Sequence, residues 1–148
     1  PKFTGKKVIV SGIMLEPTEL LDVFEENGLA IVADDLLHES RSFRQDVPED
    51  ADALMALARA WTEFDGCALA TDADKPKGRM IIEACKKYNA DAVIVAMMKF
   101  CDPEEFDYPI LIQEFAAAGI PNLQIEIDQE STAFEQVKTR IQTFAEIL

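Results

Sequence analysis

Histidine is almost absent from this chain, cysteine is sparse, and basic residues are outnumbered two to one by acidic ones, 14 against 28. His38, the one histidine, has no acidic or hydroxyl partner fixed by spacing, so it reads as a surface or turn residue rather than a base. The three cysteines, Cys67, Cys85 and Cys101, stand at wide, irregular intervals with no CxxC pair. That excludes a disulfide framework and a zinc site as first readings, and a reducing cytoplasm is the expected compartment. A net charge of −14 repels phosphate backbones and anionic lipid, so no nucleic acid and no membrane is expected as a partner. No apolar run approaches the length of a membrane helix, and no signal or transit peptide is visible. The chain opens at Pro1 without a methionine, which suggests a processed or excised piece of something larger.

Glycine-rich phosphate loops are missing too. The first strand pattern runs into Ser11-Gly12-Ile13-Met14-Leu15-Glu16-Pro17, whose single glycine excludes both a Gly-x-Gly-x-x-Gly dinucleotide site and a P-loop. The acidic pair Asp34-Asp35 follows the second strand, whereas a response-regulator receiver needs it after the first. A cobalamin-binding Asp-x-His-x-x-Gly is excluded because Leu36 and Arg41 occupy the positions around His38 where Asp and Gly would stand.

What the chain does contain is apolar content of 49% in 148 residues, enough to bury the core of a single domain over 1–148. Strand and helix patterns alternate along it. Strands are predicted over 6–13, 29–33, 92–98 and 122–127. The first helix opens at Pro17, carries Leu20, Leu21 and Phe24, and stops at Asn27-Gly28. The stretch 34–49 reads as irregular. A helix starting at Asp50 or Asp52 then spaces Leu54, Leu57, Ala58, Trp61 and Phe64 helically. Residues 66–78 read as loop, and 79–88 as a helix with Ile81, Ala84, Cys85 and Tyr88 on one stripe. Another helix follows Cys101, with a kink or restart expected at Pro109 and a break at Gly119-Ile120-Pro121. Phe134, Val137, Ile141, Phe144 and Leu148 line the last helix. The fold class predicted is α/β: a small doubly wound sheet of four parallel strands with helices on both faces.

Ligands of such sheets gather beyond the carboxyl ends of the strands. There the order of residues places Ser11-Gly12, Asp34-Asp35, Lys99 with Cys101, and Glu126 with Asp128. Cys101 follows a charge-free apolar run and precedes a helix read as capped by Asp102, with Pro103 first and Glu105 third in a capping box. The positive end of that helix favours a thiolate or an anionic metal–sulfur centre, while the plainer reading is a small apolar residue packed at a strand end. Asp34-Asp35 reads equally as a solvated strand terminus. Cys85 reads as core, and Cys67 as either reactive or incidental. Lys75, Lys77 and Arg79 form a basic island near a helix start, suited to an anion or to plain solvation.

Those residues carry a resemblance. Tyr88-Asn89-Ala90-Asp91-Ala92-Val93-Ile94, then Met97-Met98-Lys99-Phe100-Cys101-Asp102-Pro103-Glu104-Glu105-Phe106-Asp107-Tyr108-Pro109, then Gly119-Ile120-Pro121 and Glu126-Ile127-Asp128 resemble the C-terminal part of 2-hydroxyacyl-CoA dehydratase subunits. These are the 2-hydroxyglutaryl-CoA and 2-hydroxyisocaproyl-CoA dehydratases, related to benzoyl-CoA reductase. Val32-Ala33-Asp34-Asp35-Leu36 with Ser40-Arg41 is similar to the family's acidic-pair segment, and Phe134-Glu135-Gln136 and Thr139 to Glu146 to its last helix.

The resemblance implies a hydro-lyase of anaerobic amino-acid fermentation, built as a heterodimer with a second dehydratase subunit and served by an ATP-dependent iron–sulfur activator. One electron reaches a 4Fe-4S cluster, then the thioester carbonyl of the acyl-CoA substrate, and the resulting ketyl expels the 2-hydroxyl. Cys101 matches a cluster ligand, with Cys67 a weaker metal candidate. Arg41, Lys75, Lys77 and Arg79 are candidates for CoA phosphates or the thioester oxygen. Family subunits are far longer and supply further cysteines from an N-terminal domain. This chain alone is therefore expected to hold no stable cluster and show no activity. The alternatives are a non-catalytic interaction or scaffold domain, and a piece of a benzoyl-CoA-reductase-type enzyme.

Overall fold

A computed structural model describes residues 4–49, 52–69, 73–128 and 135–148. In chain order the elements are β1 (Lys6–Gly12), α1 (Glu19–Glu26), β2 (Leu29–Leu36), α2 (Ser40–Phe43), α3 (Ala53–Thr62), α4 (Lys77–Tyr88), β3 (Ala92–Met98), α5 (Asp102–Ala117), β4 (Asn122–Ile127) and α6 (Glu135–Ile147). The four strands form one sheet in the order β2-β1-β3-β4, every neighbouring pair parallel. This is the α/β architecture the alternation predicts. Helices cover both faces, and the period-2 alternation of the strands decides which residue meets which layer. Val8 and Val10 of β1, Ile94 of β3 and Ile125 of β4 pack with Leu20 and Phe24 of α1 and Ile141 and Phe144 of α6. Ile9, Val93, Val95 and Met97 turn the other way, onto Ile81 and Cys85 of α4 and Leu111 and Phe115 of α5. Cys85 is thus a core residue, as its stripe predicts.

Several details differ from the sequence reading. β2 continues to Leu36, so Asp34 and Asp35 lie inside a strand, opposite Val10 and Ser11. Paired carboxylates are poor strand formers, and Asp35 is tolerated there because it is neutralised, as described below. The 34–49 stretch also contains α2. Between Val8 and Ile9 the β1–β2 register slips by one residue, leaving Val32 as the extra residue of a bulge.

α3 begins where Asp52 caps it, accepting from the N–H groups of Leu54 (2.9 Å) and Met55 (3.3 Å). Its apolar stripe, however, faces out: Leu54 is 77% and Trp61 76% exposed, and Ala56 is the buried residue of the helix. Tyr88 is likewise exposed at the end of α4. The Asp50 start lies outside the described residues, as does Phe134.

The cap of α5 is Cys101 itself, with Asp102 as the first helical residue and no side-chain cap bond, so the expected aspartate capping box does not form. Pro109 does not restart the helix: α5 is continuous from Asp102 to Ala117. Pro109 and Glu105, whose carbonyl loses its helical partner to the proline, are both exposed, so water can take the missing donor's place. No helix among the described residues is long and apolar enough to cross a membrane.

Candidate functional site at the sheet switch point

Chain order reverses between β1 and β3. The first crossover leads from β1 to β2 on one side, and the later strands are added on the other. A crevice opens at the carboxyl ends of such a pair, because the flanking helices leave on opposite faces. Gly12 lies on one side of it. A Cβ there would meet the Ala96 carbonyl oxygen at 2.3 Å, so glycine is what lets the two strands run together to their ends.

Beside Gly12 lies a buried ionic knot. Asp35 Oδ2 accepts from Ser11 Oγ (2.9 Å) and Arg41 Nη2 (2.8 Å), and Asp35 Oδ1 from Arg41 Nε (3.2 Å) and Arg44 Nη1 (2.9 Å). Arg41 Nη2 also donates to the Gly12 carbonyl at 3.0 Å, and Nη1 lies 3.9 Å from Cys67 Sγ. Arg41 is 0% exposed. Burial opposes its charge, but Asp35 and its hydrogen bonds outweigh that, so the guanidinium pKa lies above its ordinary value. Asp34 ties the following turn instead, accepting from the N–H groups of Leu36 (3.2 Å) and Ser40 (3.0 Å). Offered by the sequence as a CoA contact, Arg41 has every nitrogen engaged inside the protein and staples β1 to β2.

Across the switch point, β3 ends at Met98 and the chain turns through Lys99 and Phe100. Phe100 takes a left-handed φ of 63° and is 92% exposed. This sharp turn brings Cys101 back over the strand end, its N–H donating to the Met98 carbonyl (3.1 Å) and its carbonyl accepting from Glu105 N–H (3.0 Å). The sulfur is buried, with the residue 9% exposed. Burial pushes the thiol's pKa up. The Glu104 N–H and the charge of Lys77 pull it down, the Glu104 carboxylate pushes it up, and the net is upward. Lys99 leaves in the other direction, to Asp128 (3.2 Å) and Glu126 (3.6 Å) on the β4 rim.

The basic island meets the acidic start of α5. Lys77 Nζ donates to Glu104 Oε1 at 3.1 Å, with both side chains buried, and Lys75 to Asp107 Oδ1 at 2.7 Å. Removing one member of a buried pair like the first leaves an unpaired charge, a loss of about 3–5 kcal/mol. Lys75 is half-exposed. Arg79 does not join the group: its guanidinium bonds the Asp74 carbonyl (3.2 Å) in an exposed position. His38 is exposed, as expected.

Glu104, Asp107 and Gly78 are contributors that sequence reasoning missed. A Cβ at Gly78 would meet the Glu114 carboxylate at 1.7 Å, so this glycine admits α5 against the start of α4. Glu104 lies 27 positions from Lys77, and no local spacing announces such a pairing.

Does this chemistry suit an iron–sulfur centre? A buried strand-end cysteine at the N-cap of a 16-residue helix is apt for one thiolate ligand. Glu104 Oε2, buried beside it, has no hydrogen-bond partner among the described residues, so the polar environment there is incomplete. No group of three or more His, Cys, Asp or Glu among the described residues is placed to hold a metal, so a cluster at Cys101 needs ligands from elsewhere. Cys67 is a free, buried thiol whose sulfur lies against Arg41.

The family model described as 2-hydroxyglutaryl-CoA dehydratase, D-component, matches residues 2–148. The chain belongs to the 2-hydroxyacyl-CoA dehydratase subunit family. It is 54% identical over 145 residues to the lactoyl-CoA dehydratase subunit beta of Anaerotignum propionicum, a match covering 97% of this chain and 39% of that protein. It is 43% identical over 146 residues to the (R)-phenyllactyl-CoA dehydratase beta subunit of Clostridium sporogenes, covering 99% and 39%. With the (R)-2-hydroxyglutaryl-CoA dehydratase subunit beta of Acidaminococcus fermentans the identity is 42% over 151 residues, covering 99% and 40%. The chain thus spans about two fifths of the length of these dehydratase relatives.

Proposed function

We propose that this chain is the C-terminal domain of a dehydratase beta subunit, and that Cys101 gives one thiolate ligand to a 4Fe-4S cluster in an enzyme that dehydrates a 2-hydroxyacyl-CoA to an enoyl-CoA. A cluster bound there supplies the single electron that lets an unactivated β-proton depart with the 2-hydroxyl. The partners under this reading are a second dehydratase subunit, an ATP-dependent iron–sulfur activator and the acyl-CoA itself. The domain's own part is positional. The Phe100 turn presents the sulfur at the switch point, and the surrounding side chains keep water from it. Lys75 and Arg79, the members of the basic island that reach solvent, are the candidates this reading keeps for CoA phosphates. Alone, the domain holds no stable cluster and has no activity.

The observation that carries this reading is the buried Cys101 at the N-cap of α5, beside the crevice at the strand ends. Its test is Cys101→Ser in the full-length subunit assembled anaerobically with its partner. Iron and sulfide per heterodimer should fall, and the cluster's electron paramagnetic resonance signal should be lost, with circular dichroism unchanged. Full iron retention overturns the reading. It would favour a non-catalytic interaction domain instead, a role to which the outward apolar residues Leu54, Leu57 and Trp61 of α3 lend support.

A further inference from the structure

The ion pair beside Cys101 is an odd stabilising device. Lys77 is the first residue of α4, where the helix dipole disfavours a cation, and it is nearly fully buried there. Its partner Glu104 uses one carboxylate oxygen and leaves the other buried without a hydrogen-bond partner among the described residues. Two desolvated charges in single-bond contact, with one oxygen unsatisfied, are poor value for stability, since apolar residues of similar size commonly serve as well. Burial and geometry instead tie the pair to the sulfur. Glu104 lies in the first turn of the helix that Cys101 caps, three residues on, and its carboxylate holds Lys77. Arg41, the other buried cation near this group, is already matched by Asp35.

We infer that Lys77 and Glu104 form a charge-setting pair for the centre ligated by Cys101: the buried ammonium favours added negative charge there, and the carboxylate limits that effect. The inference rests on the ligand assignment proposed above. Neither side chain is a ligand or touches substrate, so both are positioning residues. In a low-dielectric site a fixed charge acts strongly on an electron gained nearby. Removing the cation therefore makes reduction of the cluster harder, and removing the anion makes it easier.

The test is a redox titration of the full-length subunit assembled with its partner, each cluster signal normalised to its own iron content. Lys77→Met should lower the reduction potential and Glu104→Gln should raise it. Each should change the reduced-to-oxidised ratio at a fixed potential by about tenfold, or ~59 mV for a one-electron couple. Lys77→Arg should keep the wild-type potential. The double variant Lys77→Met/Glu104→Gln, which buries no unmatched charge, should fold and return towards it. A merely structural pair would shift both single variants in the same direction or neither, and either result overturns the inference. If Lys77→Met fails to assemble, Glu104→Gln against the double variant decides the sign. Loss of iron in Cys101→Ser with unmoved potentials in the pair variants sinks the pair's role alone, whereas full iron in Cys101→Ser sinks the ligand assignment beneath it.

Discussion

Gly12 and Gly78 do their work by lacking a side chain. At Gly12 an added methyl group would meet main chain, the Ala96 carbonyl, which cannot rotate away. Gly12→Ala should therefore part β1 from β3 at the crevice and cost about 1–3 kcal/mol, seen as a lower urea midpoint at an unchanged slope. Neither need is visible in the sequence, where both glycines read as ordinary punctuation. The charged residues illustrate the same limit. Arg41 and Lys77 are legible as basic residues suited to an anion, but not as interior ones, because their partners Asp35 and Glu104 reach them through folding rather than through local spacing. Cys101 was legible for a different reason. An apolar run that stops at a cysteine before a helix start is a local pattern, and local patterns survive in a linear reading.

Among the elements, β3 and β4 were readable to the residue, since charge-free or alternating apolar runs bounded by turn signals admit few other structures. β2 was cut short because its last three residues include two aspartates, and only the buried arginine shows why a strand can carry them. Helix α5 defied two expectations through backbone geometry. The Phe100 turn moves the cap one residue back to Cys101, and the exposed position of Pro109 spares the helix a break. For α3 the helical spacing is legible, and the stripe it marks faces outward. Helical spacing of apolar residues shows that a stripe exists, not that anything in the same chain covers it. Its apolar residues border a groove of about 410 Å³ shared with Leu37 and Val47.

Over the whole molecule, the order β2-β1-β3-β4 places the rim residues of β1 and β3 together as the alternating pattern implies. The buried thiols add a pH dependence. Burial raises the pKa of Cys85, Cys101 and Tyr108, so the folded state keeps those protons where the unfolded chain has lost them. Their effect on stability is nil below the unfolded thiol pKa of about 8.5 and turns unfavourable as pH rises from there through the folded values. The upward shift of exposed Lys99, caused by its hydrogen bond to Asp128, acts in the same direction. Under reducing conditions the urea midpoint at pH 10 should therefore lie below that at pH 7.5; an equal or higher midpoint would contradict these shifts. The outward-facing helix has a photophysical corollary. The chain contains a single indole, that of Trp61, and it already stands in water. Its emission should be red-shifted in the native state and change little during denaturation, while far-ultraviolet ellipticity registers the full transition. A mismatch between those two signals would then reflect where the chromophore sits, not a populated intermediate.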